Sequence, residues 1–143
     1  MINQPTMNQQ LHQQQQRNKY LQTSIQTATP AQLLIMLYDG ALRFCKGGME
    51  AIHNQNLEEA NRSICRAEDI IMELVVTLDK SSPIAEGLVR MYEYMHFKLI
   101  EANTYKKVEP IEEVIGYLVE LKETWIQAAK LMNGASQQGA ANA

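Results

Sequence analysis

The sequence predicts an all-α chain folded as an antiparallel, up-down-up-down four-helix bundle. Three observations predict it. Four blocks of about 22–25 residues carry apolar positions every three or four residues, each block opens on a helix-start signature, and the connections are only about three to five residues long. The spacing puts the apolar residues on one stripe of each helix. Connections that short leave no room for a crossover, so successive helices reverse direction.

The first 19 residues, MINQPTMNQQLHQQQQRNK, hold seven Gln in the first sixteen and bury too little to offset their ordering entropy, so a disordered leader is expected over 1–19. Tyr20-Leu-Gln-Thr-Ser-Ile25 restores apolar side chains but is too short for an independent element. The first helix is expected over about 30–53, where Thr29 caps, Pro30 suits the first helical position and Gln32 completes a capping box. Its seam is Leu34, Leu37, Ala41, Cys45, Gly48 and Ile52. The second, about 57–78, is capped by Asn56, with Glu58 and Glu59 facing the positive end of the helix dipole. Its seam (Leu57, Ala60, Ile64, Ala67, Ile71, Leu74, Leu78) follows a 3-4-3-4 rhythm.

The third helix, about 83–105, opens on Ser82-Pro83, with Ile84, Leu88, Met91, Met95, Leu99 and Ala102 inward. The fourth, about 110–132, opens on Glu109-Pro110 and carries Ile111, Val114, Leu118, Leu121, Trp125, Ala128 and Met132 inward. Each is about 35 Å long at 1.5 Å per residue. The small, polar tail 133–143 is expected to be disordered, which leaves one four-helix domain over 20–132.

Composition narrows the function. A net charge of −3 with no Lys/Arg run argues against nucleic-acid binding, which needs phosphate neutralisation. No window approaches 18 uncharged apolar residues, so no membrane insertion is expected. The polar start from Met1 to Gln10 reads as no secretory signal, and Cys45 and Cys65 read as reduced thiols, which together place the chain in the cytosol.

Metal chemistry is suggested by two Glu-x-x-His pairs, Glu50…His53 and Glu93…His96, since di-iron bundles use such pairs plus an inward Glu from each remaining helix. The inward positions of the second and fourth helices are all apolar, however. Glu50 and Glu93 lie about 200° round from the seam, and His53 and His96 would sit at levels about 15 Å apart. A phosphotransfer role for His96 is opposed by Phe97 and Leu99, which crowd it. Gly47-Gly48 lies inside a helix and begins no phosphate loop. No enzyme activity, cofactor or metal is expected.

What remains is an apolar surplus. Of residues 29–132, 53 of 104 are apolar, about eight more than a helix face of three positions in seven requires. Beyond its seam the fourth helix carries Ile115, Val119 and Ile126, interrupted by Lys122. The third adds Val89, Tyr92 and Ile100, and the first adds Leu33, Met36 and Tyr38. Part of this set belongs to a wide core; as a group it reads as a groove for a partner helix, which Tyr20, Leu21 and Ile25 could cover when empty. The same stripe paired with its own copy would make a structural homodimer.

Several stretches resemble the flagellar secretion chaperone FliS family. Tyr20-Leu-Gln-Thr-Ser-Ile-Gln-Thr-Ala-Thr-Pro30 followed by Leu33-Leu-Ile-Met-Leu-Tyr-Asp-Gly-Ala-Leu42 is similar to its opening. Arg66-Ala-Glu-Asp-Ile-Ile71 with Glu73-Leu74 and Leu78-Asp79, then Met91-Tyr-Glu-Tyr-Met95 and Leu99-Ile-Glu-Ala-Asn103, follow in order. Glu113-Val-Ile-Gly-Tyr-Leu118 and Thr124-Trp125 resemble its last helix. The resemblance implies a non-enzymatic chaperone that binds the disordered C-terminal segment of flagellin in apolar grooves. It also implies that binding blocks premature polymerisation and helps deliver the subunit to a component of the flagellar type III export gate. The family's N-terminal tyrosine segment, matched by Tyr20 and Ile25, is implicated in covering the groove, and the free chain is expected to be a monomer or weak homodimer.

Overall fold

Local hydrogen bonding decides where each helix begins. The computed structural model describes residues 6–141, apart from the side chains of Leu21, Ser24, Ile25 and residues 133–141. It divides into two compact units, Met1–Leu33 and Leu34–Ala143.

In the first unit, α1 spans Met7–Thr27. This corrects the expected disordered leader over its described part; residues 1–5 lie outside the described residues. Two local causes account for the helix. Residues 7–27 contain neither Gly nor Pro and are rich in Gln, Leu, Met, Arg and Lys, all good helix formers. A capping box also closes its start: the Gln9 amide donates to Thr6 Oγ1 at 3.2 Å and the Thr6 amide to Gln9 Oε1 at 3.0 Å. The described side chains of α1 are exposed, so propensity and capping, not burial, shape it. The same device recurs at Thr29 and Gln32, at 3.2 and 3.0 Å, where the next helix starts with Pro30 as foreseen.

The second unit is built from α2 (Pro30–His53) beyond Leu33, α3 (Leu57–Thr77), α4 (Ala85–Tyr105) and α5 (Glu109–Ala141), with no strand among the described residues. Asn56 caps α3 by accepting the Glu59 amide at 3.2 Å. α4 starts two residues later than expected because Ser82 holds the preceding turn, its hydroxyl accepting from the Ile84 amide at 3.4 Å and its carbonyl from Ala85 at 3.1 Å. α5 is longer than expected and continues through Gly134 to Ala141. The tail after Gly134 holds Ala and Gln and no Pro, so nothing forces a stop there; residues 142 and 143 lie outside the described residues. The short links close with left-handed residues, Gln55 at φ 58° and Lys106 at φ 51°. Each is followed by an amide that reaches back to a helix carbonyl, Asn56 to Ala51 at 2.9 Å and Lys107 to Ala102 at 3.1 Å.

Four helices share one core. Ala41 and Cys45 of α2, Ala60, Ile64, Ala67, Ile71 and Leu74 of α3, Met95, Leu99 and Ala102 of α4, and Ile111, Val114 and Leu118 of α5 are buried together. These are seam positions read from the 3-4 spacing. The seam frays at the helix ends, where Leu57, Ile84 and Met132 are exposed. α3 packs along α4, and α4 along α5. α2 comes close to α3 at Gly48, where an added Cβ would stand 2.8 Å from Ile64 Cγ1.

The glycines therefore give substitutions of opposite sign. Gly48→Ala is expected to cost about 1–3 kcal/mol through overpacking against Ile64. Gly87→Ala and Gly116→Ala, where an added Cβ meets nothing within 4 Å, should each raise stability by about 0.5–1 kcal/mol through helix propensity. Urea unfolding of the three variants checks the signs.

Candidate partner-binding surface

The apolar surplus divides into a buried part and several exposed parts. Tyr38 and Tyr92, expected to line the groove, are instead in the core, at 0% and 1% exposure. Their hydroxyls lie 2.5 Å apart, and the Trp125 indole N–H donates to Tyr38 Oη at 3.1 Å. A phenol can be buried when its hydroxyl has partners. Burial raises both phenol pKa values; for Tyr38 the hydrogen bonds from Tyr92 and Trp125 work against the rise, and for Tyr92 the bond to Tyr38 adds to it.

On α5, Ile115 and Ile126 are half-buried and Val119 is exposed. They stand seven and three residues before and four after Lys122, hence on one helical stripe. Lys122 Nζ is 2.5 Å from Asp39 Oδ1, so this stripe borders α2. The Lys122 that interrupts the apolar pattern in sequence is thus neutralised by a neighbour on another helix. Beside the bridge lies a hollow of about 520 Å³ whose lining includes Leu42, Arg43, Lys46 and Glu50.

Val89 and Ile100 of α4 lie elsewhere. Ile100, exposed, precedes Asn103 by one turn. The Asn103 amide donates to Asn61 Oδ1 at 2.8 Å and to Cys65 Sγ at 3.7 Å, which sets this flank against α3. Half-buried His96 faces Glu68 on the same flank; burial chiefly raises the Glu68 carboxyl, and His96 opposes the rise. Val89 is half-buried one heptad before His96. The expected set is therefore distributed over two flanks rather than joined in one groove. Leu33 and Met36, near the start of α2, are half-buried. Tyr20 is exposed, whereas the side chains of Leu21 and Ile25 lie outside the described residues.

A third patch was missed. On α4 and α5, Tyr94 meets Tyr117 edge to face at a centroid separation of 6.1 Å, and its hydroxyl donates to Glu113 at 2.9 Å. Lys98 lies over the Tyr94 ring at 5.6 Å and pairs with Glu101 at 3.2 Å. With Arg90 and Met91 the two tyrosines line a hollow of about 250 Å³, and Phe97 is exposed on the same helix. The available signal was the aromatic i, i+3 pair of Tyr94 and Phe97, outside the seam of that helix.

Glu50 and Glu93 are exposed, as their angular positions required. No three of His, Cys, Asp and Glu come together among the described residues in a way that could hold a metal ion. The arrangement suits binding of apolar side chains bordered by charge.

Comparison with known proteins decides the family. Residues 12–132 match the family model described as flagellar protein FliS. The chain belongs to the FliS family. Flagellar secretion chaperone FliS of Bacillus subtilis is 37% identical over 109 residues, 76% of this chain and 82% of that protein. The Campylobacter jejuni FliS is 34% identical over 110 residues, covering 76% and 86%, and the Pseudomonas aeruginosa FliSB is 33% identical over 113 residues, covering 75% and 90%. Membership covers all of α2, α3 and α4, and it supports a role in flagellar export for this FliS-family chain.

The buried hydroxyls and thiol generate two expectations. Tyr38→Phe removes the partner of both Tyr92 and Trp125 and should cost about 1–3 kcal/mol, more than Tyr92→Phe, which leaves Tyr38 its indole donor; urea unfolding ranks them. Burial pushes the Cys45 thiol from 9.0 up to about 12. The native state keeps this proton where the unfolded chain releases it, so stability falls as pH rises through that window, by up to about 1.4 kcal/mol per pH unit per group. The raised phenols add to the decline above about pH 10. Unfolding midpoints measured from pH 8 to 11 should fall less steeply in Cys45→Ala than in the natural chain.

Proposed function

We propose that this chain is a cytosolic export chaperone that captures the disordered C-terminal segment of flagellin. It holds that segment against polymerisation and helps hand it to a component of the flagellar type III export gate. The observation that carries the reading is the set of incompletely buried apolar side chains on the α2–α5 and α3–α4 flanks, in a chain whose relatives are named flagellar secretion chaperones. A disordered segment can form amphipathic turns on such a surface, as helix-in-groove recognition does elsewhere. None of the described helices is long and apolar enough to cross a membrane.

The scaffold in this reading is an antiparallel up-down-up-down bundle of α2 to α5, supported by their common core and short links. Tyr20, Leu21 and Ile25, at the end of α1, act as a cover. They and the partner compete for the same apolar surface, so the time the surface spends covered lowers the apparent affinity. Leu33, Met36, Val89, Ile100, Ile115, Val119 and Ile126 supply contacts, and the free chain is a monomer or weak homodimer.

Size-exclusion chromatography of the chain with soluble flagellin should yield a stable 1:1 complex that disappears when flagellin lacks its C-terminal segment. Persistence of the complex without that segment would overturn the reading. Titration of the segment into a Tyr20→Ala, Ile25→Ala variant should show tighter binding than the natural chain; equal or weaker binding rules out simple competition.

A further inference from the structure

The geometry points to the flank shared by α2 and α5 as the seat of an acidic amphipathic helix, with Arg43 and Lys46 reading its carboxylates. The inference rests on the capture of flagellin's C-terminal segment proposed above, and it specifies the chemistry of the part of that segment which docks here.

Its apolar floor comes from α5. Ile115, Val119 and Ile126 span 12 residues, about 16 Å or three turns at helical rise, which matches a partner helix of about ten to twelve residues. Leu42 of α2 lines the adjoining hollow. Lys122 and Asp39 cross this floor already paired, at 2.5 Å. A partner that lies over them meets a neutral pair, not an unpaired charge, and so avoids the cost of burying one.

The rim differs from the floor. Arg43 and Lys46 are exposed, stand one helical turn apart and line the same hollow. Arg43 lies over its neighbour Phe44 at 5.2 Å, and neither cation has a carboxylate within ion-pair distance among the described residues. Three other surface cations are paired within their own helices or with a neighbouring one. Arg62 is paired with Glu58 and Glu59, Arg90 with Glu86, and Lys98 with Glu101 and Glu113. The chain as a whole is acidic, at −3, yet this lining holds three cations, Arg43, Lys46 and Lys122, against two carboxylates, Asp39 and Glu50. Asp39 is satisfied by Lys122, and Glu50 lies at the end of the row. The unmatched charge is therefore positive and concentrated at residues 43–46. Two cations i and i+3 apart complement carboxylates one turn apart on a helix laid alongside.

The test uses the full chain and isothermal titration with flagellin's C-terminal segment. The Arg43→Glu, Lys46→Glu variant should bind about tenfold more weakly or worse, with a flatter salt dependence between about 50 and 300 mM NaCl. Arg43→Gln, Lys46→Gln should lose less. Arg62→Glu, at an exposed position of α3 outside the patches described above, should stay within about twofold of the natural chain. A segment whose Asp and Glu are replaced by Asn and Gln should bind the natural chain weakly and lose nothing further with the reversed variant, because the two changes remove one interaction. Thermal melts confirm that each variant folds. If the natural chain binds the segment and charge reversal at 43 and 46 changes nothing, or Arg62→Glu weakens binding as much, the inference is overturned and flagellin capture stands. If the natural chain does not bind the segment, both fall.

Discussion

The Tyr38 hydroxyl, 2.5 Å from that of Tyr92 and bonded to the Trp125 indole, connects α2 to α4 and α5 through one buried oxygen. Aliphatic contacts tolerate sliding by part of a turn, because dispersion is non-directional. A hydrogen bond between buried groups does not, because breaking it leaves polar atoms without water or partner. The positions of these helices along their axes are thus tied to a polar cluster inside an otherwise apolar interior. Among the described residues no buried side-chain polar atom lacks a partner. α3, the remaining helix of the core, is placed differently, by the close approach of Gly48 to Ile64.

With the interior fixed in this way, the flanks are free to differ. The α4–α5 face closes on itself through Tyr94, Tyr117, Glu113 and Lys98, whose charges and rings are mutually occupied. The α3–α4 flank is mixed, with Asn61, Asn103 and Cys65 bonded at one end and Ile100 exposed nearby. The α2–α5 flank pairs a neutralised bridge with apolar side chains and cations that have no carboxylate partner among the described residues. The exposed pairs between these helices contribute little stability, under about 1 kcal/mol each. Their main effect is on which partners the surface admits.

Much of this was legible in the sequence. The 3-4 rhythm identified Ala60, Ile64, Ala67, Ile71 and Leu74 as interior because a helix has only one stripe that can face a neighbour. The capping box at Thr29 and the cap at Asn56 were legible because their bonds are local. Tyr38 and Tyr92 were misplaced for the converse reason: what makes their burial tolerable is a bond between residues 54 positions apart, which periodicity along one helix cannot express. Lys122 was visible as an interruption, but its partner Asp39 was not. The leader was misjudged because its lack of a core was weighed above its propensity. The division of the apolar surplus between flanks depends on which helix lies beside which, a tertiary fact absent from any single block.

The row along the α2–α5 flank also has a direction. Starting from the Asp39–Lys122 bridge, α2 presents Arg43, then Lys46, then Glu50, so its two ends are chemically unlike. A helix whose carboxylates lie toward one end has one favoured polarity on such a row, since reversal would carry them away from Arg43 and Lys46. Cargo held there would leave the surface with its two ends in fixed places. Such a surface would set which end of a bound client is presented first for threading.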